Sequence, residues 1–225
     1  MFELLRFPEG FGIPKLQYQR LNLFGKNQGS TLFPGRFRQR ILWRRIRSFF
    51  MKMRGEGKSP PRVSLKEVLV SWVGAFLGIF AVGFLGHLVH LEQQDILFLI
   101  GSFGASAVLL YGTPGVPLAQ PRNLMGGHIL SALTGVLMYG WIAEPLYLSG
   151  ALSVATAIAV MHLTKTTHPP AGATALTAVI GSERVHQLGF LYVLSPVALG
   201  AVIMLVVALI VNNLISFRRY PVFWW

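Results

Sequence analysis

The chain has 225 residues, 53% of them hydrophobic and only 12% charged, well below the roughly one quarter charged of soluble proteins. It has no cysteine, which excludes disulfides and thiolate metal sites. The net charge of +12 is lopsided: residues 1–62 hold 14 of the 20 Lys and Arg and 3 of the 8 acids, and the other 163 residues net +1.

Residues 1–35 carry Pro8, Gly10, Gly12, Pro14, Gly25, Gly29, Pro34 and Gly35. No periodicity survives that punctuation, so the stretch reads as an irregular arm, disordered alone or ordered on a partner. Residues 36–54 interleave Phe37, Ile41, Trp43, Ile46, Phe49, Phe50 and Met53 with eight basic residues. That pattern predicts an amphipathic helix lying on the bilayer surface, against anionic headgroups. A solvated basic linker is the plainer alternative. Nucleic acid is the other usual partner of such charge, and the tether to a membrane argues against it. Gly55 to Pro61 reads as a linker. The organisation is therefore a basic arm (1–62), a transmembrane domain (63–217) and an aromatic tail (218–225).

Residues 68–89, 124–143 and 145–163 are nearly free of charge. Each has the ~20 residues needed to cross ~30 Å of hydrocarbon. Soluble helices would show polar stripes, and these show almost none. The first apolar run starts too late for a secretory signal. Six segments are predicted: 66–89, 95–111, 124–143, 145–163, 171–181 and 188–217. The fifth is too short to span alone, and Pro196 predicts a kink in the sixth. Five crossings remain if 163–186 is a re-entrant loop. The fold class is thus an all-α polytopic membrane protein with five to six segments. Gly104-Ala105-Ser106-Ala107-Val108 matches Gly172-Ala173-Thr174-Ala175-Leu176 at an offset of 68, which suggests two inverted three-segment halves. The basic arm places the N-terminus in the cytoplasm, or in the stroma for a plastid protein. On that topology Glu92, Asp95 and Glu144 lie outside and Arg122, Lys165, Arg218 and Arg219 inside. The end, Tyr220 to Trp225, reads as an aromatic interface anchor.

Thr166-Thr167-His168-Pro169-Pro170-Ala171-Gly172-Ala173 is a break inside this apolar sequence. Irregular backbone at membrane depth survives only where protein or a water-filled cavity covers it. The residue before proline is driven to extended geometry, and proline suits the first helical turn. The chain should arrive extended at Thr167 and His168 and begin a helix at Pro169 or Pro170. The N–H groups of Ala171, Gly172 and Ala173 would then face the break and favour an anion. His168 could donate to that anion or relay a proton. A packed kink, with His168 bonded to a carbonyl, is the competing reading. Arg122 could draw anions to a pore mouth or simply flank the membrane. His128, inside the third segment, is a functional group or an interhelical hydrogen bond. His87 and His90 lack a third metal ligand and read as interfacial polarity. No metal site, cofactor motif or nucleophile–base pair is found, so no enzyme is expected. Gly74, Gly78, Gly135 and Gly140 read as packing positions.

Thr167-His168-Pro169-Pro170-Ala171-Gly172-Ala173-Thr174-Ala175 resembles the signature of the HPP family of integral membrane proteins. Gly101-Ser102-Phe103-Gly104-Ala105-Ser106-Ala107 and Gln120-Pro121-Arg122-Asn123-Leu124-Met125-Gly126-Gly127-His128 are similar to its other blocks. The likeness covers about residues 64–216. It implies about four spans, fewer than six. It also implies nitrite transport, which is attributed to some members in plastids and cyanobacteria. Together with the break, it leads to a transporter or channel for a small monovalent anion such as nitrite. Thr167, His168 and the N–H groups of Ala171, Gly172 and Ala173 would form the inner site; Ser102, Gly104, Ser106, Arg122 and His128 would line the opposite side. A bacterial inner membrane or a plastid membrane is the expected location. The alternative is a non-transporting subunit docked on a larger membrane complex through residues 1–62.

Overall fold

The computed structural model describes residues 34–53, 57, 59–88 and 100–225, with side chains described from residue 42 onward. The irregular arm before residue 34, the loop with Glu92 and Asp95, His90 and the start of the segment at 95–99 lie outside the described residues. The described residues form helices and connections, with no strand among them. The chain divides into two units, residues 1–60 and 61–225.

In the first unit α1 spans Pro34–Lys52. Trp43, Phe49 and Phe50 on it are exposed.

The second unit begins with α2, Leu65–Leu88, started by the Ser64 hydroxyl accepting from the Glu67 N–H. The short α3, Gly101–Ala107, runs into a π-helical turn at Val108–Gly112. An irregular connection leads to α4, Pro121–Trp141. Then come α5, Leu146–Leu163, and α6, Pro169–Ile180. The expected single segment at 188–217 is divided. It comprises the end of α7 (Glu183–Leu188), a π-helical turn at Val193–Ala198 and α8 (Leu199–Asn213). Ser195, just before Pro196, is extended at φ −140°, ψ 120°, because proline removes a donor and disfavours helical geometry before it. Among the described residues three stretches are long and apolar enough to cross a membrane: Leu65–Leu88, Leu146–Leu163 and Val193–Asn213. α4 has 21 residues but carries Arg122, Asn123 and His128.

α4, α5 and α6 pack on one another, α2 packs on α8 and on the 108–112 turn, and α3 lies against α6. Glycine permits the close approaches. A Cβ on Gly78 would stand 2.1 Å from the Tyr111 hydroxyl, and one on Gly200 2.3 Å from the Phe103 ring. Gly135 meets the Ala175 carbonyl at 2.5 Å in the same sense, whereas Gly140 has nothing within 4 Å among the described residues and packs against none of them.

The C-terminal tail departs from the expected interfacial role. Tyr220 is buried and its hydroxyl donates to the Ala119 carbonyl at 2.8 Å. Burial pushes this phenol above its ordinary range. The Val222 N–H donates to Gln120 Oε1, while the Gln120 amide donates to the carbonyls of Pro114 and Val116. The tail thus fixes the connection before α4, and only Trp224 and Trp225 remain as exposed aromatics. Arg218, expected as a flanking charge, is also buried. It pairs with Glu67 at 2.8 Å and donates to Ser71 Oγ, Asn212 Oδ1 and the Tyr111 carbonyl. A buried guanidinium needs such partners, and its five donors fit them.

Candidate functional site

The break after α5 is built by the backbone. Thr166 N–H donates to the Met161 carbonyl at 2.9 Å and Lys165 N–H to His162 at 3.3 Å, a Schellman ending of α5. Lys165 occupies the position that glycine usually takes, with φ 57°. The chain then runs extended to His168, at φ −136°, ψ 101°, and α6 opens on Pro169. This is the geometry that the double proline predicts.

The expected backbone anion site is not formed. A helix start leaves its first four N–H groups unused. Here two of them are absent, at Pro169 and Pro170, and the Ala171 N–H donates to the His168 carbonyl at 2.9 Å. Ala171 is buried, Gly172 half-buried and Ala173 exposed. The two prolines that shape the break remove the donors it was expected to offer.

Side chains supply the site instead. Ser102, Ser106, His128, His168 and Thr174 are each wholly buried and come from α3, α4 and α6 with its preceding residue. Ser106 Oγ lies 2.8 Å from His128 Nε2 and 2.8 Å from His168 Nε2. Its hydroxyl is also within donating distance of the Ser102 carbonyl, at 3.0 Å. His128 Nδ1 lies 2.8 Å from Thr174 Oγ1, whose hydroxyl donates to Ser102 Oγ at 2.8 Å. His168 Nδ1 faces the Leu118 carbonyl at 2.8 Å. A carbonyl can only accept, so this nitrogen carries the hydrogen. The two rings are 5.0 Å apart, and the Phe103 ring closes over His128 at 5.3 Å.

Helical spacing explains the convergence. Ser102 and Ser106 are one turn apart and share a face of α3. Gly104 lies between them on the opposite, exposed face, so its backbone does not line the cluster. Gly127 lets α4 approach the break: a Cβ there would stand 2.6 Å from His168 Cβ and 3.0 Å from the Thr166 carbonyl. Asn123 donates to the Thr167 carbonyl at 2.8 Å and ties the break to the start of α4. Thr167 contributes that carbonyl rather than its hydroxyl. Arg122 is half-buried, with its guanidinium 5.9 Å over the Phe223 ring, outside the cluster. Among the described residues its Nε has no hydrogen-bond partner.

Thr174, Asn123, the Leu118 carbonyl and Tyr192, which donates to the Thr174 carbonyl, were not among the expected site residues. Thr174 had a signal, as a hydroxyl among the small residues of α6. The Leu118 carbonyl had none, because a backbone acceptor brought in from 50 residues away is a property of the fold. Among the described residues no group of three or more His, Cys, Asp or Glu could hold a metal ion.

Apolar helices around an enclosed cluster of hydroxyls and imidazoles define an integral membrane protein with a buried polar centre. The transmembrane region of the HPP family matches residues 60–221, and the chain belongs to that family. It is 47% identical over 180 residues to a transmembrane protein of Dictyostelium discoideum, covering 79% of this chain and 57% of that one. A second transmembrane protein of the same organism is 41% identical over 185 residues, covering 80% and 64%. The chain thus spans less than two thirds of the length of either relative. No solved structure matches it.

Proposed function

We propose that this protein carries a small monovalent anion, such as nitrite, across its membrane through the buried centre. The carrying observation is the convergence of His128, His168, Ser102, Ser106 and Thr174 beside a broken helix. Imidazoles and hydroxyls inside a membrane are costly, and they collect where substrate passes. Such donors bind an anion without a permanent cation, which suits release as well as entry. No covalent chemistry is required.

The pairing of α3 with α6 supports two inverted halves. Ser102 meets Thr174 and Ser106 meets His168, so the two segments cross antiparallel. Gly104 and Gly172, the matched positions of the repeat, fall within the crossing. α1 would lie along an anionic cytoplasmic surface. Its exposed Trp43, Phe49 and Phe50 also fit a second reading, a subunit docked through residues 1–62; co-purification of a partner that is lost on removing those residues would favour it.

Uptake by purified protein in liposomes tests the transport reading, with nitrite, nitrate, formate and chloride compared across pH. Transport of at least one anion, lost in His168→Ala and retained in Lys165→Ala, is expected. Uptake by His168→Ala equal to that of the unaltered protein would remove the imidazole from the path.

A further inference from the structure

The hydrogen inventory of the buried cluster carries a second conclusion, which rests on the transport reading. The Leu118 carbonyl requires a hydrogen on His168 Nδ1. The Thr174 hydroxyl donates to Ser102, so the Thr174 oxygen presents a lone pair to His128 Nδ1, which must then carry a hydrogen as well. A neutral imidazole has one hydrogen. Both Nε2 atoms are therefore bare acceptors when the rings are neutral. Both lie 2.8 Å from the same Ser106 Oγ, whose single hydrogen also reaches the Ser102 carbonyl at 3.0 Å, an acceptor that the helix of α3 already supplies with a backbone N–H. In the neutral cluster at least one Nε2 therefore lacks a hydrogen. A proton added to either Nε2 supplies both once Ser106 turns its hydrogen from the carbonyl: that imidazolium donates to Ser106, and Ser106 donates to the other ring.

An added proton is a buried charge, and a lone charge in a low-dielectric interior is expensive unless paired. Among the described residues the surroundings offer no free counter-charge: α2, which packs on α3, carries Glu67, and that carboxylate is paired with Arg218. α3 and its π-helical turn, α4, α5 and α6 contain no Asp or Glu; Glu144 lies between α4 and α5, and Glu183 follows α6. The titratable and charged groups on these elements are Tyr111, Arg122, Tyr139, Tyr147, His162, the two imidazoles themselves and, at the break, Lys165. Tyr192 adds a hydroxyl already committed to the Thr174 carbonyl. Among the described residues nothing negative is placed to hold the proton, and an anion entering alone would be equally uncompensated.

We infer that His128, Ser106 and His168 form a proton-binding site filled together with the anion, so that each anion crosses with a proton. The two charges neutralise each other, and the loaded site is electrically neutral. No bond other than the N–H is made or broken: one proton joins an imidazole Nε2 on loading and leaves it on release.

The test uses the full chain in liposomes loaded with a pH-sensitive dye. Nitrate is the first probe, since nitric acid does not leak through lipid as nitrous acid does; nitrite follows with protein-free vesicles as control. Accumulation driven by an inward proton gradient, insensitive to a clamped membrane potential, with about one proton per anion, is expected. The double variant His128→Gln, His168→Gln keeps hydrogen-bonding amides but leaves no imidazole to hold a proton, so its proton flux should fall to the protein-free level. If that variant does not fold, the stoichiometry of the unaltered protein still decides. Anion flux that follows the potential and ignores the proton gradient overturns the inference and leaves the transport reading intact. If neither probe, formate nor chloride moves, the transport reading fails, and histidine ¹⁵N resonances decide the rest. Hydrogens on both Nδ1 atoms, with a second hydrogen on one ring when nitrite is added at fixed pH, uphold the site. A neutral His128 carrying its hydrogen on Nε2, or rings unchanged by nitrite, overturns it.

Discussion

Replacing Gly127 by alanine tests whether the approach of α4 to the break sets the site. The new Cβ would meet His168 Cβ at 2.6 Å, the Thr166 carbonyl at 3.0 Å and Ala171 Cβ at 3.5 Å. Ordinary carbon contacts need about 3.5–4.0 Å, so His168 or α4 must retreat by about 1 Å. The neighbours are backbone and the root of a buried ring, which cannot swing aside. His168 makes two 2.8 Å contacts, to Ser106 and Leu118, and a retreat of that size carries one of them beyond hydrogen-bond range. Overpacking costs about 1–3 kcal/mol and the lost hydrogen bond about 1 more, giving about 2–4 kcal/mol in all. Gly104→Ala is the matched control, because nothing among the described residues lies within 4 Å of its Cβ position. There the better helix propensity of alanine should leave stability unchanged or raise it by up to about 1 kcal/mol. Thermal unfolding in detergent, followed by tryptophan fluorescence, reads both. Equal melting of Gly127→Ala and Gly104→Ala would refute the reasoning.

Further expectations follow from the same contacts. Arg218→Ala strips Glu67, Asn212, Ser71 and the Tyr111 carbonyl of a shared partner and should destabilise by about 3 kcal/mol, seen as a lowered midpoint in the same melt. Tyr220→Phe removes only the donor to the Ala119 carbonyl and should cost about 1 kcal/mol; an unchanged midpoint would mean that the tail does not hold the connection before α4. Lys165→Gly places glycine at a left-handed position and should be neutral or stabilising by up to about 1 kcal/mol; a clear loss of stability would contradict the Schellman ending of α5. Removing residues 1–33 should leave the melting of the membrane domain unchanged, since that stretch offers no apolar periodicity to bury, and misfolding on its removal would show that it packs into the core.

Much of the architecture was legible because its signals are local. Apolar run length marks α2 and α5, and the residue before proline marks both the break at His168 and the kink at Ser195. The interior faces of α3 and α4 were partly legible. Ser102 and Ser106 share a helical face, and His128 is an isolated imidazole in an apolar segment. Spacing along one helix gives no partner on another, so the link from Ser106 to both imidazoles was hidden. The roles of Arg218 and Tyr220 were misread for the same reason. A basic or aromatic residue after a span usually marks the interface, and only the contacts to Glu67 and Ala119 show that these two turn inward.

Composition and run length by themselves determined a helical membrane protein. The double proline determined where its helix breaks, because hydropathy and backbone sterics act over a few residues. Tertiary structure decided what the break offers. It took the Ala171 N–H for the His168 carbonyl, turned Gly104 to the exposed face, and gathered two imidazoles around a single hydroxyl. Hydrogen-bond saturation explains that outcome: a buried donor or acceptor must find its partner wherever the packing of other helices supplies one.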